Sequence, residues 1–256
     1  MLSLQTYLIV LPLVFLGGLI DSIAGGGGLI SLPAYLAAGL PPHAALANNK
    51  FSSCFGTLLS AWRYHRSRLI DVRVALLSAA AALFGSAAGA RTVLIINPAF
   101  LNYLLLVMIP LVTVFTLLHP NLGRISRHEG VPLARKYGLA AMAGLCLGFY
   151  DGFFGPGMGS FLILFFTLFL KYDLVGANAN TKVVNLASNA GSLVTFILHA
   201  KVIYLLGVPA AAAGIAGNWV GSHLVLRKGG RLIRPIFIAV LLLLLGKIVY
   251  NLLTRP

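Results

Sequence analysis

Long apolar runs, separated by short polar or basic stretches, make up nearly the whole of this chain. A helix needs ~20 residues to cross a bilayer, and on that scale we predict ten apolar segments: 4–20, 29–39, 44–62, 72–90, 98–118, 137–150, 159–170, 175–198, 203–226 and 235–253. Two of them, 29–39 and 159–170, are short and follow glycine clusters. The pattern predicts an all-α polytopic membrane protein.

Composition and charge agree with this pattern. Hydrophobic residues make up 59% of the chain and charged residues 9%, whereas soluble domains carry about 25% charge. The net charge is +14, but the Arg and Lys residues lie in short loops, as the positive-inside rule expects of cytoplasmic loops. We therefore expect a lipid bilayer as the surroundings and no nucleic-acid partner.

The sequence repeats itself. Residues 18–28 align with 148–158 at an offset of 130, which matches Asp21 with Asp151. After a two-residue insertion the offset becomes 132, and Lys50 matches Lys182. We predict one transmembrane domain over residues 1–256, built from repeat one (4–118), a basic loop (119–136) and repeat two (137–254).

Loop charges predict how the repeats are oriented. The first-repeat loop with Arg63, Arg66, Arg68 and Arg73 is basic, and its counterpart carries only His199 and Lys201. The next pair of loops reverses this, with Arg91 alone in the first repeat and a cluster from Arg227 to Arg234 in the second. If basic loops face the cytoplasm, matched loops lie on opposite sides, and the repeats have inverted topology. Two parallel repeats, each starting with a single kinked span, are the alternative.

Glycines interrupt the apolar pattern at matching places in the two repeats. Short, Gly-interrupted segments in corresponding positions indicate a transporter's binding site, because a broken helix frees backbone N–H groups that favour an anion. We expect broken or re-entrant helices at the centre, with these glycines touching a ligand: Gly25, Gly26, Gly27, Gly155 and Gly157.

Asp21 and Asp151 are the two acids within the predicted membrane segments. Intramembrane acids are functional candidates by default, so each is a candidate for proton coupling or for an ion pair with an intramembrane lysine. The alternative is that each carboxylate caps the short helix that follows.

Lys50 and Lys182 are matched candidates for binding an anion or for pairing with Asp151 and Asp21 across a pseudo-symmetry axis. The alternative is that each lysine reaches out to the membrane interface. Amide and hydroxyl side chains are unfavourable in contact with lipid. We therefore expect the polar neighbours of the lysines to complete the substrate site: Asn48, Asn49, Ser53, Asn180, Thr181, Asn185 and Asn189.

Other chemistries lack support in the sequence. A dinucleotide site at residues 155–159 would need a preceding strand and a soluble βαβ unit, and the apolar pattern provides neither. No catalytic triad, metal-ligand spacing or hydrated acid pair occurs. We expect no enzyme activity, no metal and no cofactor.

Four segments resemble the TauE/SafE family of sulfite exporters, and most closely its YfcA-like branch: Gly18–Pro33, Ala47–Lys50, Gly148–Phe161 and Ala177–Asn189. The resemblance covers nearly the whole chain. It implies a permease of the bacterial inner membrane for small sulfur-containing anions such as sulfite or organosulfonates.

These observations predict a transporter whose halves rock to give alternating access, with uniport and proton coupling both open. A non-transporting membrane scaffold or assembly factor is the rival function, and a permease for another small anion is a second. Homo-oligomerisation stays open as well.

Overall fold

In the computed structural model, residues 4–95 and 128–233 are described, together with a few positions between 235 and 242. Every regular element among them is helical, which confirms the predicted all-α class. Beside a 3₁₀ turn at His128–Gly130, the helices are α1 Leu4–Ala24, α2 Gly28–Ala37, α3 Pro42–Arg66, α4 Val72–Ile95, α5 Leu133–Phe153, α6 Met158–Leu168, α7 Leu174–Leu198 and α8 Tyr204–Lys228.

The helices follow the predicted segments, with one difference at the basic loop. Segment 98–118, most of segment 235–253 and most of the loop 119–136 lie outside the described residues. Helix α5 begins at Leu133, directly after Pro132, so Arg135 and Lys136 belong to its first turns and not to a loop. Proline favours the start of a helix because it has no N–H to lose.

Helices α3 and α7 end in the same way although their sequences differ. Each is followed by a non-glycine residue in the left-handed region, Arg68 (φ 55°) and Ala200 (φ 52°). The next amide closes the turn, from Leu69 to the Tyr64 carbonyl at 3.2 Å and from Lys201 to the Phe196 carbonyl at 3.0 Å. Such an end satisfies carbonyls that the helix itself leaves open.

The two short helices fold back on the helices before them. At 10 residues, α2 is about 15 Å long, too short to cross a bilayer. Gly27 and Ser31 both pack against Gly17 of α1, so α2 returns along α1. Likewise, the Tyr150 hydroxyl of α5 donates to the Pro156 carbonyl at 2.6 Å, and its ring lies 5.5 Å from that of Phe161 in α6.

Contacts between small residues show in which direction the long helices run. Gly144 packs on Ser78 and Gly152 on Ser86, so α5 runs parallel to α4. By the same kind of contact α8 runs parallel to α1, because Gly217 packs on Phe15 and Gly221 on Leu19. Small residues allow this close approach of helix backbones.

Helices α3 and α7 cross the centre in opposite directions. Phe51 near the start of α3 clusters with Leu193 near the end of α7, and Tyr64 near the end of α3 contacts Asn178 near the start of α7. Helix α8 runs parallel to α3, and α4 parallel to α7. Three matched pairs therefore run in opposite directions: α1 and α5, α3 and α7, and α4 and α8.

The surface is apolar, and the interior holds many polar side chains beside its hydrophobic clusters. Large apolar side chains such as Leu8, Leu58, Phe84 and Val208 are exposed, while buried Asn, Ser, Thr and Lys side chains line the inside. Helices α1 and α4 are long and apolar enough to cross a membrane by length and composition. Helix α3 is less apolar, but its 25 residues give about 37 Å, and the polar residues Asn48, Asn49 and Lys50 within it are buried.

The bundle has two ends, which differ in charge. Arg63 of α3 bonds the Trp219 carbonyl of α8, so the end of α3, the start of α4 and the end of α8 meet at what we call the basic-loop face. Tyr7 of α1 bonds the Leu205 carbonyl of α8, which places the starts of α1, α3 and α8 at the opposite end, the mouth face.

Candidate functional site

The two glycine breaks touch each other through their backbones. Gly25 adopts φ +74°, a conformation that side chains disfavour. A Cβ on Gly25 would lie 2.6 Å from the Ser160 nitrogen, and one on Gly159 would lie 2.6 Å from the Gly25 Cα. The Ser160 hydroxyl also donates to the Ala24 carbonyl at 2.8 Å. Glycine at both positions therefore lets the first turn of α6 pack on the end of α1.

A buried ion pair joins the halves beside this contact. The Lys50 ammonium of α3 lies 2.6 Å from Asp151 Oδ1 of α5, with the two side chains 2% and 4% exposed. The other carboxylate oxygen accepts from the Ser188 hydroxyl of α7 at 2.6 Å. Each oxygen of Asp151 thus has a donor, which a buried carboxylate requires.

The matched residues form a second pair. Lys182 Nζ of α7 lies 3.0 Å from Asp21 Oδ2, with side chains 0% and 14% exposed. The same ammonium also donates to the Asp21 main-chain carbonyl. Gly56 takes the place of Ser188 in the first half, so no hydroxyl is available there for the second oxygen of Asp21.

These contacts differ from two alternatives considered for the sequence. Neither lysine reaches the interface, since both are buried. Neither carboxylate caps the short helix that follows it: among the described hydrogen bonds, Asp21 accepts from Lys182, and Asp151 accepts from Lys50 and Ser188, rather than from backbone N–H groups at the starts of α2 and α6. In the structure the acids are oriented toward the lysines of the opposite half.

A polar cavity lies between the two pairs, with room for a water-sized molecule. It is lined by charged and amide side chains and by the glycine breaks: Asp21, Gly25, Gly28, Asn49, Lys50, Ser53, Asp151, Gly155, Gly157, Met158, Gly159, Asn185 and Asn189. We call it the central cavity. Lysine and amide donors next to free backbone N–H groups at the start of α6 can bind an anion.

Asn49 is oriented as a donor toward this cavity. Its Oδ1 accepts from the Ser31 hydroxyl at 2.6 Å, so its amide NH₂ remains for a ligand. The Ser31 hydroxyl also lies 3.0 Å from the Gly27 carbonyl. The hairpin that α2 forms with α1 therefore holds the Asn49 side chain of α3 in place.

Six predicted site residues do not line the central cavity: Gly26, Gly27, Asn48, Asn180, Thr181 and Lys182. Residues two apart in a helix lie about 200° apart around its axis, so Asn48 and Asn180 turn away from the side of Lys50 and Lys182. Asn48 donates to the Ala44 carbonyl at 2.8 Å. Asn180 accepts from the Asp71 amide at 3.0 Å.

The remaining four have other positions. The Gly26 carbonyl accepts from the Leu29 amide at 3.1 Å. Gly27 borders a second, smaller cavity with Asp21, Ser31 and Asn218. Thr181 is buried, and its hydroxyl has no hydrogen-bond partner among the described residues. Lys182 does not line the cavity itself and acts on it through Asp21.

Ser188 is a polar neighbour in the predicted pocket whose contact with Asp151 was not predicted. A signal was present, because Lys182, Asn185 and Ser188 recur every three residues and so fall on one side of a helix. Gly28, Met158 and Gly159 also line the cavity and were missed, since each lies just past the glycines named by the pattern.

The central cavity is closed toward both faces. Toward the mouth face an apolar cluster that includes Phe153, Phe196 and Leu206 covers it. Toward the basic-loop face, Tyr64 and Asn178 both donate to the Ser22 carbonyl, at 2.7 Å and 2.9 Å. A ligand would reach the centre only when one of these closures moves.

A third ion pair lies at the basic-loop face, outside the spans. Lys136 Nζ is 2.7 Å from Asp71 Oδ2, and the Tyr172 hydroxyl donates to the same oxygen at 2.7 Å. Burial alone would raise the pKa of Asp71, but hydrogen bonds from Lys136 and Tyr172 and the Lys136 charge bring it below its ordinary value. The carboxylate therefore stays ionised and ties α4 to α5.

An apolar helical exterior, two broken helices and buried charges around a central cavity define a membrane transporter. The chain belongs to the sulfite exporter TauE/SafE family, whose sequence model matches residues 10–248. The family and the relatives below are membrane transporters and not enzymes.

Among the proteins that the chain resembles over most of its length are the following three. It is 40% identical to "Probable membrane transporter protein YfcA" of Escherichia coli K12, over 92% of this chain and 87% of the relative. It is 35% identical to a "Probable membrane transporter protein" of Haemophilus influenzae, over 93% and 92%. It is 36% identical to "Probable membrane transporter protein ORF9" of Sinorhizobium sp, over 88% and 85%. No solved structure matches significantly.

Proposed function

We propose that this protein is a permease that carries small sulfur-containing oxyanions, such as sulfite or organosulfonates, through the central cavity by alternating access. The observation that supports this most is the pair of buried ion pairs, Lys50 with Asp151 and Lys182 with Asp21, which join the two halves around one cavity. The family's description names sulfite export, which suggests the substrate class.

Charge explains how the cavity would take an anion. Two lysines and two aspartates sum to zero, so an anion entering alone would leave a buried net negative charge, which is costly. A proton on one aspartate changes the sum to +1 and leaves a lysine with charge to share. Anion binding is then favoured together with a proton.

The donors around the cavity suit a small oxyanion. Lys50 provides the charge, and Asn49, Ser53, Asn185 and Asn189 provide neutral donors on two helices. A pyramidal or tetrahedral anion can accept from several directions at once. In its present closed form the cavity is narrow, so binding a substrate requires α2 or α6 to shift.

The opposite directions of matched helices support inverted repeats. In such transporters one repeat or bundle rocks against the other around a fixed site. Here the cavity lies where the Gly25 and Gly159 backbones touch, and the ion pair of Lys182 with Asp21, which joins the two halves, would break and form again in the rocking motion.

The distribution of positive charge supports an orientation in the bacterial inner membrane, with several spans. Arg63, Arg66, Arg68 and Arg227 all belong to the basic-loop face, which the positive-inside rule assigns to the cytoplasm. Two exposed tryptophans contact arginines there, with Arg63 5.4 Å from the Trp219 ring and Arg66 over Trp62. Tryptophans of this kind are typical of a membrane interface.

Uptake by proteoliposomes tests the proposal. Purified protein is expected to carry radiolabelled sulfite or an organosulfonate, and the same ligands are expected to raise its unfolding temperature. Lys50→Gln is expected to abolish both effects, because it removes the cavity's cation. Lys228→Gln, an exposed lysine at the end of α8, is the matched control and should behave as the unmodified protein.

The choice of ligands decides the outcome. Carboxylates and phosphate of similar size test the selectivity for sulfur oxyanions. A protein that is stabilised by a cation or an amine but by no sulfur oxyanion would contradict the proposed substrate class.

A further inference from the structure

A further cavity, larger than the two described above, opens at the mouth face, apart from the central one. It is about 530 Å³ in volume and is lined by the start of α3, the end of α4 and the loop between α7 and α8: His43, Arg91, Thr92, Leu94, Ile95, His199 and Lys201. We call it the mouth. Its size suits a hydrated anion, whereas the central cavity holds only a water-sized molecule.

The mouth concentrates positive charge. Arg91 and Lys201 are the two Arg or Lys residues that the described ranges place at the mouth face, and both line this cavity. The acids with described side chains lie elsewhere: Asp21 and Asp151 at the central pairs, and Asp71 and Asp173 at the basic-loop face. Within the described part of the chain, these two cations therefore have no carboxylate partner.

Helix α3 lines both the mouth and the central cavity, and the mouth lies nearer the start of this helix. His43 precedes Lys50 by seven residues in α3, a distance of about 10 Å along a helix axis. The apolar cluster with Phe153 and Phe196 lies between the two levels. An anion held at the mouth would need only that cluster to open before it met Lys50.

We propose that the mouth is an outer binding site that collects small oxyanions, with Arg91 as the principal ligand and Lys201 as the second charge. A guanidinium binds two oxygens of one anion through parallel N–H groups. A cavity with one sign of charge and low-dielectric walls raises the local concentration of the opposite ion. The identity of the anion as a sulfur oxyanion rests on the proposed function, whereas the site itself does not.

A thiol placed in the mouth measures its potential without any substrate. Thr92→Cys is made in full-length protein that also carries Cys54→Ser and Cys146→Ser; the Thr92 hydroxyl bonds only the Ala88 carbonyl of its own helix, so the change is mild. The readout is the ratio of modification rates with an anionic and a cationic methanethiosulfonate of similar size. Ser67→Cys, exposed at the basic-loop face, is the matched control.

Removing the two charges should change this ratio. At low ionic strength, adding Arg91→Gln and Lys201→Gln is expected to lower the anion-to-cation ratio at Thr92→Cys at least ~5-fold, and high salt should reduce the difference. Arg91→Lys should keep most of it. The ratio at Ser67→Cys should not change. An unchanged ratio at Thr92→Cys would overturn the mouth as an anion site.

Uptake then separates this inference from the proposed function. In the protein with its natural cysteines, Arg91→Gln with Lys201→Gln is expected to raise the KM for sulfite several-fold at low salt while kcat changes little. If no sulfur oxyanion is carried or bound and yet the thiol ratio falls, the proposed substrate is wrong and the mouth stands. If sulfite is carried with a KM that ignores both charges, the mouth has no part in collecting it and the inference fails.

Discussion

The two buried ion pairs occupy equivalent places in the two halves, yet they are held differently. Asp151 accepts from Lys50 and from Ser188, and its side chain is 4% exposed. Among the described side chains Asp21 accepts from Lys182 alone, and it is 14% exposed. Asp21 also borders the second small cavity next to Gly27.

The pair of Lys50 and Asp151 is therefore the fixed pair, and the pair of Lys182 and Asp21 is the more accessible one. Lys50 and Asp151 both line the central cavity and form the better-satisfied pair, which suits a permanent anion ligand. Asp21 lines two cavities, one of its oxygens has no donor among the described side chains, and it is more exposed than Asp151. We therefore assign the coupling proton to Asp21 within the proposed mechanism.

The largest expected effect comes from removing one charge of the fixed pair. Lys50→Gln leaves Asp151 buried with Ser188 alone, and breaking a buried pair this way costs about 3–5 kcal/mol. Chemical unfolding in detergent measures it. Removing both charges, with Lys50→Gln and Asp151→Asn together, should restore most of the stability but not sulfite binding. Restored binding would show that Lys50 is structural only.

The next effect concerns the pH dependence of uptake. Asp21→Asn is expected to flatten the pH profile of sulfite uptake in proteoliposomes, because the proton acceptor is gone. Asp151→Asn is expected to lower the rate at every pH while keeping the shape of the profile. If both variants keep the unmodified rate and profile, proton coupling through either aspartate is wrong.

A smaller effect tests what makes Asp151 the fixed partner. Ser188→Ala removes one donor from a buried carboxylate and is expected to cost about 1–3 kcal/mol. Ser192→Ala, one turn further along α7, is the matched control, because its hydroxyl only bonds the Ser188 carbonyl at 3.0 Å. Unfolding free energies of the two variants should therefore differ. Equal values would mean that the bond between Ser188 and Asp151 adds nothing.

The smallest expected effect extends the comparison to the third pair, at the basic-loop face. The pKa of Asp71 is lowered, so its contribution to stability is complete above the ordinary value of about 3.9 and is lost as the pH falls through the lower, folded value. The carboxylate is partly exposed, so the contribution is under ~1 kcal/mol. Unfolding temperatures below about pH 4 should converge for the unmodified protein and Asp71→Asn, and a constant gap would contradict this.

Much of the fold can be predicted from the sequence because membrane-spanning helices form long apolar runs. The eight described helices match predicted segments, and the offsets of 130 and 132 bring helices of equal or nearly equal length into register. The start of α5 was less evident, because Lys136 looks like a loop residue until its contact with Asp71 is seen.

The candidate site was predictable in type but not in every side chain. The pattern singled out both lysines, both aspartates and the glycine breaks. It did not distinguish Asn49, which faces the cavity, from Asn48, which faces its own helix, since adjacent residues look alike without the helical phase. Only the folded arrangement brings Ser188 to Asp151 across two helices.

The pairing of each charge with a residue of the other half has a consequence for biosynthesis. When the first half enters the membrane, Asp21 and Lys50 are already there, but Asp151 and Lys182 have not yet been made. Each unpaired charge at the bilayer centre costs at least ~3 kcal/mol, so the first half is poorly stable until the second arrives. Each half is therefore expected to need the other in order to fold stably. A cell that makes only one half should degrade it.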